Sequence, residues 1–153
     1  MIPNISNGEH VFVSYNTEIK RGSVVILEVN KDDNFHIDET SHYIKRIIGL
    51  PGDRVKWINN KLYINDEEYN EPYFPKDYFG TAATNNFDGL FRYIDENGNE
   101  QVTEIIPEGY YFVMGDNRPI SKDSRSIGLI PEKNIIGVAT YHMNFIIPRG
   151  KIK

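Results

Sequence analysis

The chain has 153 residues, a net charge of −5, 39% hydrophobic residues and 25% charged residues. That describes one globular domain with enough interior for a real core, and it excludes a disordered chain. Lysines and arginines are scattered rather than clustered, so nucleic acid is not an expected partner; cysteine is absent, which excludes disulfides and thiolate metal sites.

No stretch approaches the roughly 20 consecutive apolar residues that cross a bilayer. The chain opens on Met1-Ile2-Pro3-Asn4 with no signal-peptide pattern, as though an upstream segment had been cut away. Val11-Phe12-Val13 after Asn7-Gly8, and Val24 to Val29 after Arg21-Gly22, are short β-branched runs set off by glycine, which predicts strands. Asn30 to Ser41 is polar and reads as a hairpin loop; Tyr43 to Ile48 is the next strand, ended by Pro51-Gly52. Val55 to Ile58 and Leu62 to Ile64 flank Asn59-Asn60-Lys61 as a hairpin, with a further turn at Asn65-Asp66.

From Phe74 to Glu104 glycine, asparagine, threonine and aspartate become frequent, and only Leu90 to Ile94 reads as a strand before the turn Glu96-Asn97-Gly98-Asn99. Residues 74–104 are therefore expected to be an inserted flap or small β subdomain, set into a main β core made of residues 1–73 and 105–153. Ile105 to Met114 returns to the core pattern, Pro131-Glu132-Lys133 suits one short helical turn, and Asn134 to Thr140 and His142 to Ile147 read as the last strands. No stretch sustains a helical period, so the expected fold is mostly β with antiparallel strands. Phe145-Ile146-Ile147 is apolar enough to touch a membrane surface as well as to fill a strand.

Two stretches carry chemistry. Tyr43-Ile44-Lys45-Arg46-Ile47-Ile48-Gly49 sets a lysine in a strand of apolar residues, and a lysine entering a core is costly unless it is paired or neutral. Burial disfavours the charged amine and lowers its pKa, and a neutral amine can take a proton from a serine hydroxyl, as in Ser-Lys variants of the serine-protease triad. Gly115 to Arg125 packs two acids, two arginines, one lysine and two serines into eleven positions after an apolar strand. Asp123 and Arg125 are placed to pair and hold that loop, leaving Ser121 or Ser124 to orient a polar neighbour. The histidines (His10, His36, His42, His142) show no metal-ligand spacing, and neither a metal nor another cofactor is expected.

These residues carry a resemblance. Ile44-Lys45-Arg46-Ile47-Ile48-Gly49-Leu50-Pro51-Gly52-Asp53 resembles the Lys-Arg-x-x-Gly-x-Pro-Gly-Asp box of bacterial type I signal peptidases. Gly115 to Arg125 resembles their Gly-Asp-Asn-Arg-x-x-Ser-x-Asp-Ser-Arg box at every defined position, and Arg21-Gly22-Ser23-Val24-Val25 resembles their Arg-Gly-Asp-x-Val-Val box, with Ser23 in place of the acid. Met1-Ile2-Pro3-Asn4-Ile5 followed by Gly8-Glu9 resembles the nucleophile box Ser-Met-x-Pro-Thr-Leu…Gly-Asp, with Asn4 in place of threonine.

The resemblance implies an all-β catalytic core with an inserted β subdomain, and a serine endopeptidase that removes signal peptides from exported preproteins. It makes Lys45 the general base and Ser121 the hydroxyl that orients its amine. Asp123 and Arg125 become a supporting ion pair, with Asp116 and Arg118 shaping the same loop. Met1, Ile5, Tyr43 and Ile44 match positions that line shallow pockets for small substrate residues. The family's serine nucleophile falls immediately before Met1, so these 153 residues are expected to be an inactive soluble ectodomain. The full protein is expected to be anchored through an upstream segment in the bacterial cytoplasmic membrane, with its catalytic domain on the outer face. The rival expectation is a non-catalytic accessory protein of surface-protein or pilus assembly, against which the intact Lys45 and Ser121 argue.

Overall fold

Short β-branched and aromatic runs between glycine and asparagine turns form strands throughout the computed structural model, which describes residues 1–30, 40–75, 78, 86–144 and 147–152. In chain order the strands are β1 (His10–Ser14), β2 (Val24–Val29), β3 (Ser41–Gly49), β4 (Val55–Ile58), β5 (Lys61–Ile64), β6 (Glu67–Glu68), β7 (Phe91–Ile94), β8 (Glu100–Thr103), β9 (Tyr110–Met114), β10 (Ile130–Pro131), β11 (Ile135–Asn144) and β12 (Ile147–Lys151). A four-residue helix, α1 (Ser124–Ile127), and a 3-10 turn at Glu132–Asn134 complete the described elements.

Seven strands form the main sheet in the order β1-β11-β2-β3-β9-β10, with β12 also pairing with β11. β4-β5-β6 form a second sheet and β7-β8 a separate hairpin. Every strand pair described is antiparallel, as the short connections and alternating patterns predict. The fold is mostly β, in agreement with the sequence.

Asn59 and Asn60 both take positive φ (50° and 62°), the left-handed pair that a two-residue hairpin needs, and Asn65 and Asp66 repeat it at 54° and 67°. Three features depart from the sequence reading. β8 is polar and half-exposed; it forms because Asp95 Oδ1 accepts from the backbone N–H groups of Asn97 and Asn99 and so closes the turn onto β7. The last strands do not divide at Tyr141, since no glycine or proline stands between Val138 and Asn144, and β11 continues to Asn144 with a register shift after His142. Helix α1 is too short to show a period. The polar loop through 31–39 and the residue Phe145 lie outside the described residues.

Side chains alternate across β3, so its two faces serve different cores. Ile48 joins Phe112 and Met114 against Val55, Trp57, Leu62 and Ile64 of the second sheet and Phe91 of the hairpin. Ile47 joins Val25, Leu27, Val29, Val113, Ile130 and Val138 on the opposite face. A smaller cluster of Ile5, Val24 and Ala139, with Met1, Val11 and Ile44 against it, seats the start of the chain on the sheet.

Gly49 ends β3 where the register to β9 shifts. A Cβ there would meet Ile106 Cδ1 at 2.3 Å, Val55 Cγ2 at 2.8 Å and Phe112 Cβ at 3.0 Å. Gly49→Ala therefore overpacks the larger core, and chemical denaturation is expected to show a loss of about 1–3 kcal/mol; an unchanged midpoint would contradict this packing.

Candidate active site

Strand β3 delivers two basic residues in succession, and alternation sends them to opposite faces. Lys45 is only 9% exposed, and its Nζ donates to Ser121 Oγ at 3.2 Å. The ring of Tyr43, two residues earlier on the same face, lies 5.3 Å from that Nζ. Burial pushes the Lys45 pKa down; the negative charges of Asp123 and Asp116 oppose this, and the guanidinium of Arg125 adds to it.

The close approach of Ser121 depends on a glycine. Gly115 follows β9 directly, and a Cβ on it would stand 2.1 Å from Ser121 Oγ and 3.4 Å from Lys45 Nζ. The serine's own backbone is held by its N–H to the Asn117 carbonyl at 3.0 Å.

Asp123 is fully buried and is the node of the loop. It accepts from Arg125 Nε at 2.8 Å and Arg125 Nη2 at 2.9 Å, from the Gly115 N–H at 3.0 Å, and caps α1 through the Arg125 N–H. This two-pronged pairing places a positive charge against the carboxylate, so the field that would otherwise keep the nearby Lys45 amine protonated is offset. Ser124, next in the chain, accepts the Val113 N–H at 2.9 Å and pins the helix to β9.

On the opposite face Arg46 is also fully buried, as is Asp116. Arg46 Nε and Nη2 donate to the two Asp116 carboxylate oxygens at 2.9 and 2.8 Å, and Arg46 Nη1 to the Gly22 carbonyl at 2.8 Å. Its guanidinium lies 3.9 Å from the centre of the Tyr73 ring. Arg118 forms a second buried fork with Glu71, donates from Nε to the Gly115 carbonyl at 3.1 Å, and packs over Trp57 and Phe74. Arg21 and Asp53 form a third pair, at 2.9 and 3.3 Å, and Asp53 takes the Leu50 N–H at 2.7 Å to close the Pro51-Gly52 turn.

Lys45, Ser121, Asp123 and Arg125 thus meet in one place, and Asp116 and Arg118 brace the loop that carries Ser121. Of the pocket residues expected from the sequence, Met1, Ile5 and Ile44 gather in one cluster. Tyr43 does not join them; it packs with the Ile47 cluster on the Lys45 side of the sheet. The Met1 amine has its pKa lowered by burial, raised by Asp116 and lowered by Lys45, so the first residue lies within electrostatic reach of both.

The sequence reading quoted Arg46, Arg21 and Asn4 inside its motifs without giving them a role, and it passed over Glu71. Arg46 had a signal, because a second cation in the same apolar strand needs a partner as much as the first. Glu71 had none, and for Asn4 the only signal was its departure from the nucleophile box, since their partners stand 47 and 112 residues away.

Comparisons with known proteins bear on the chain as a whole. The family model described as signal peptidase, peptidase S26, matches residues 1–144. Signal peptidase IB of Staphylococcus aureus (strain COL) is 38% identical over 148 residues, covering 92% of this chain and 71% of its own length. Signal peptidase I of Streptococcus pneumoniae serotype 4 is 35% identical over 164 residues, covering 94% and 77%. The crystal structure of a signal peptidase I from Enterococcus faecalis V583 superposes with a TM-score of 0.58 at 26% identity, over 81% of this chain and 98% of that one.

A lysine with a depressed pKa is a burden on the fold. The unfolded chain binds the proton that the folded chain releases, so Lys45 costs most at low pH and the cost fades as pH rises toward the ordinary lysine range. Lys45→Met is therefore expected to raise the melting temperature, most at pH 5–6 and least above pH 9, in a pH series of thermal melts. A gain that does not depend on pH, or a loss at every pH, would contradict the depressed pKa.

Proposed function

The chain belongs to the S26 family of signal peptidases, the bacterial type I enzymes, and from that premise we propose that it removes signal peptides from exported preproteins by a Ser-Lys dyad. The base is Lys45 and the nucleophile is a serine on the residue preceding Met1. The observation that carries this reading is the Lys45 amine: nearly buried, 3.2 Å from Ser121 Oγ, and with its pKa pushed down by burial.

The serine hydroxyl gives its proton to the neutral Lys45 amine as Oγ bonds to the scissile carbonyl carbon. Backbone N–H groups hold the resulting oxyanion. The ammonium then returns the proton to the leaving amine as the C–N bond breaks, and the same amine activates the water that hydrolyses the acyl-enzyme. Ser121 keeps the amine aimed through this cycle, while the Asp123–Arg125 pair limits the negative field on it.

The register of the sheet supports an extended substrate. β2 covers one edge of β3 from Ser41 to Arg46, whereas β9 covers the other edge only from Arg46 onward. Among the described residues no strand pairs with that second edge along His42–Ile44. An incoming chain adds there as a strand, with main-chain hydrogen bonds for affinity and alternate side chains for selection. Small side chains then meet the apolar group of Met1, Ile5 and Ile44, with Tyr43 on the reverse side. We also assign residues 1–73 and 105–153 to the catalytic core and 74–104 to an inserted element. In support of a contact between the two, Tyr78 Oη donates to the Ile2 carbonyl at 3.2 Å.

No helix among the described residues is long and apolar enough to cross a membrane. Membrane anchorage, with the catalytic domain on the outer face, belongs to a segment preceding Met1 on this proposal. The 153 residues alone then carry the base without the nucleophile and are inactive. Placing a serine before Met1 is expected to give cleavage of a signal-peptide substrate, and Lys45→Ala in that chain to lower kcat by about 10²–10⁴-fold. An inactive serine-bearing chain, or undiminished cleavage by Lys45→Ala, would overturn the assignment.

A further inference from the structure

We propose that Asn4 is a positioning residue for the nucleophile: its side-chain amide ties the first turn of the chain to the buried Arg46–Asp116 pair and so sets the chain end beside Lys45. The proposal rests on the reading above, in which the attacking serine precedes Met1.

Asn4 Nδ2 donates to Asp116 Oδ2 at 2.7 Å, the same oxygen that takes Arg46 Nη2 at 2.8 Å. An ionised carboxylate accepts from two donors on one oxygen without difficulty, and it requires a donor, which fixes the amide nitrogen rather than its oxygen as the partner. Both members of the anchor are fully buried. Arg46 is the neighbour of Lys45 on β3, and Asp116 is the neighbour of Gly115, against which Ser121 and Lys45 pack. The amide therefore bonds the first turn to the two segments that carry the base and its orienting hydroxyl. A shift at that bond is a shift of the attacking atom relative to the base.

The rest of the turn is closed but held more softly. The Ile5 N–H donates to the Met1 carbonyl at 2.9 Å, the Asp116 N–H points at Met1 Sδ at 3.4 Å, and Ile5 is buried against Val24 and Ala139. Sulfur is a weak acceptor and apolar contacts slide, so the directional restraint comes from Asn4 on one flank and Tyr78 on the other. The residue type fits the task. Leucine has the shape without the donor, aspartate would set a second carboxylate against a buried one, and threonine offers a shorter hydroxyl donor.

The test uses the serine-bearing chain and the variants Asn4→Leu, Asn4→Asp and Asn4→Thr. Misplacing a reacting atom by about 1 Å costs on the order of 10²-fold, so Asn4→Leu is expected to lower kcat by about 10–100-fold with KM within about twofold. Its acid limb in the pH–kcat/KM profile should stay where it is, because the surroundings of Lys45 are unchanged. Asn4→Asp should also lower kcat and move that limb to higher pH, since an added negative charge favours the lysine's protonated form. Asn4→Thr should recover most of the rate.

A second readout needs no activity: in the 153-residue chain, Asn4→Leu should speed amide exchange at Ile5 at least tenfold and leave Val113 unchanged. Unchanged exchange at Ile5 or an unchanged kcat in Asn4→Leu overturns the clamp. So does a loss in which KM, melting temperature and kcat fall together and threonine restores nothing. An inactive parent chain instead overturns the nucleophile assignment, and the exchange result still decides the role of Asn4.

Discussion

The structure depends on the removal of water from one amine. Lys45 sits on a central, largely apolar strand, and burial there outweighs the carboxylates that would keep it charged. Two aspartates within electrostatic reach of a lysine would ordinarily hold its proton more tightly. Here each is already engaged in a two-pronged pairing by an arginine, Asp123 by Arg125 and Asp116 by Arg46. The acids shape the loop through their hydrogen bonds while much of their charge is answered elsewhere. The Lys45 amine is left with a lowered proton affinity by that division of labour.

The arginine pairs explain why so much charge is tolerated inside a small β protein. A buried ion pair seldom adds net stability, because desolvating both partners offsets their attraction. What the pairs do show is geometry: Arg46, Arg118 and Arg125 each bond by two-pronged pairing across or within the segment from Gly115 to Arg125. Arg118 joins Glu71 to the Gly115 carbonyl beneath Trp57 and Phe74, which couples the small sheet to the loop that presents Ser121. The glycine at 115 completes the frame by leaving room where any side chain would push Ser121 away from Lys45.

Much of this was legible in the sequence, for identifiable reasons. Strands bounded by Asn-Gly, Arg-Gly and Pro-Gly announced themselves, and so did the two polar motifs, because a lysine in an apolar strand and a dense polar loop are both physically unusual. Elements held by one local side chain were not legible: β8 exists because Asp95 closes a turn, and α1 because Asp123 caps four residues. The partners of Arg118 and Asn4 were hidden because each contact is tertiary, across 47 and 112 residues, and Glu71 stands in no unusual local context. The separation of Tyr43 from Ile44 was readable in principle, since adjacent strand residues face opposite ways.

The account makes one quantity central, the proton affinity of the Lys45 amine in the folded chain. The direct measurement is a pH titration of its side-chain resonances by NMR, with the signal assigned through Lys45→Arg. The account predicts a midpoint below the ordinary lysine range, and a further fall when Asp123 and Arg125 are both replaced by neutral residues, since Asp123 raises the value more than Arg125 lowers it. A Lys45 that titrates with the exposed lysines of the same chain would contradict it.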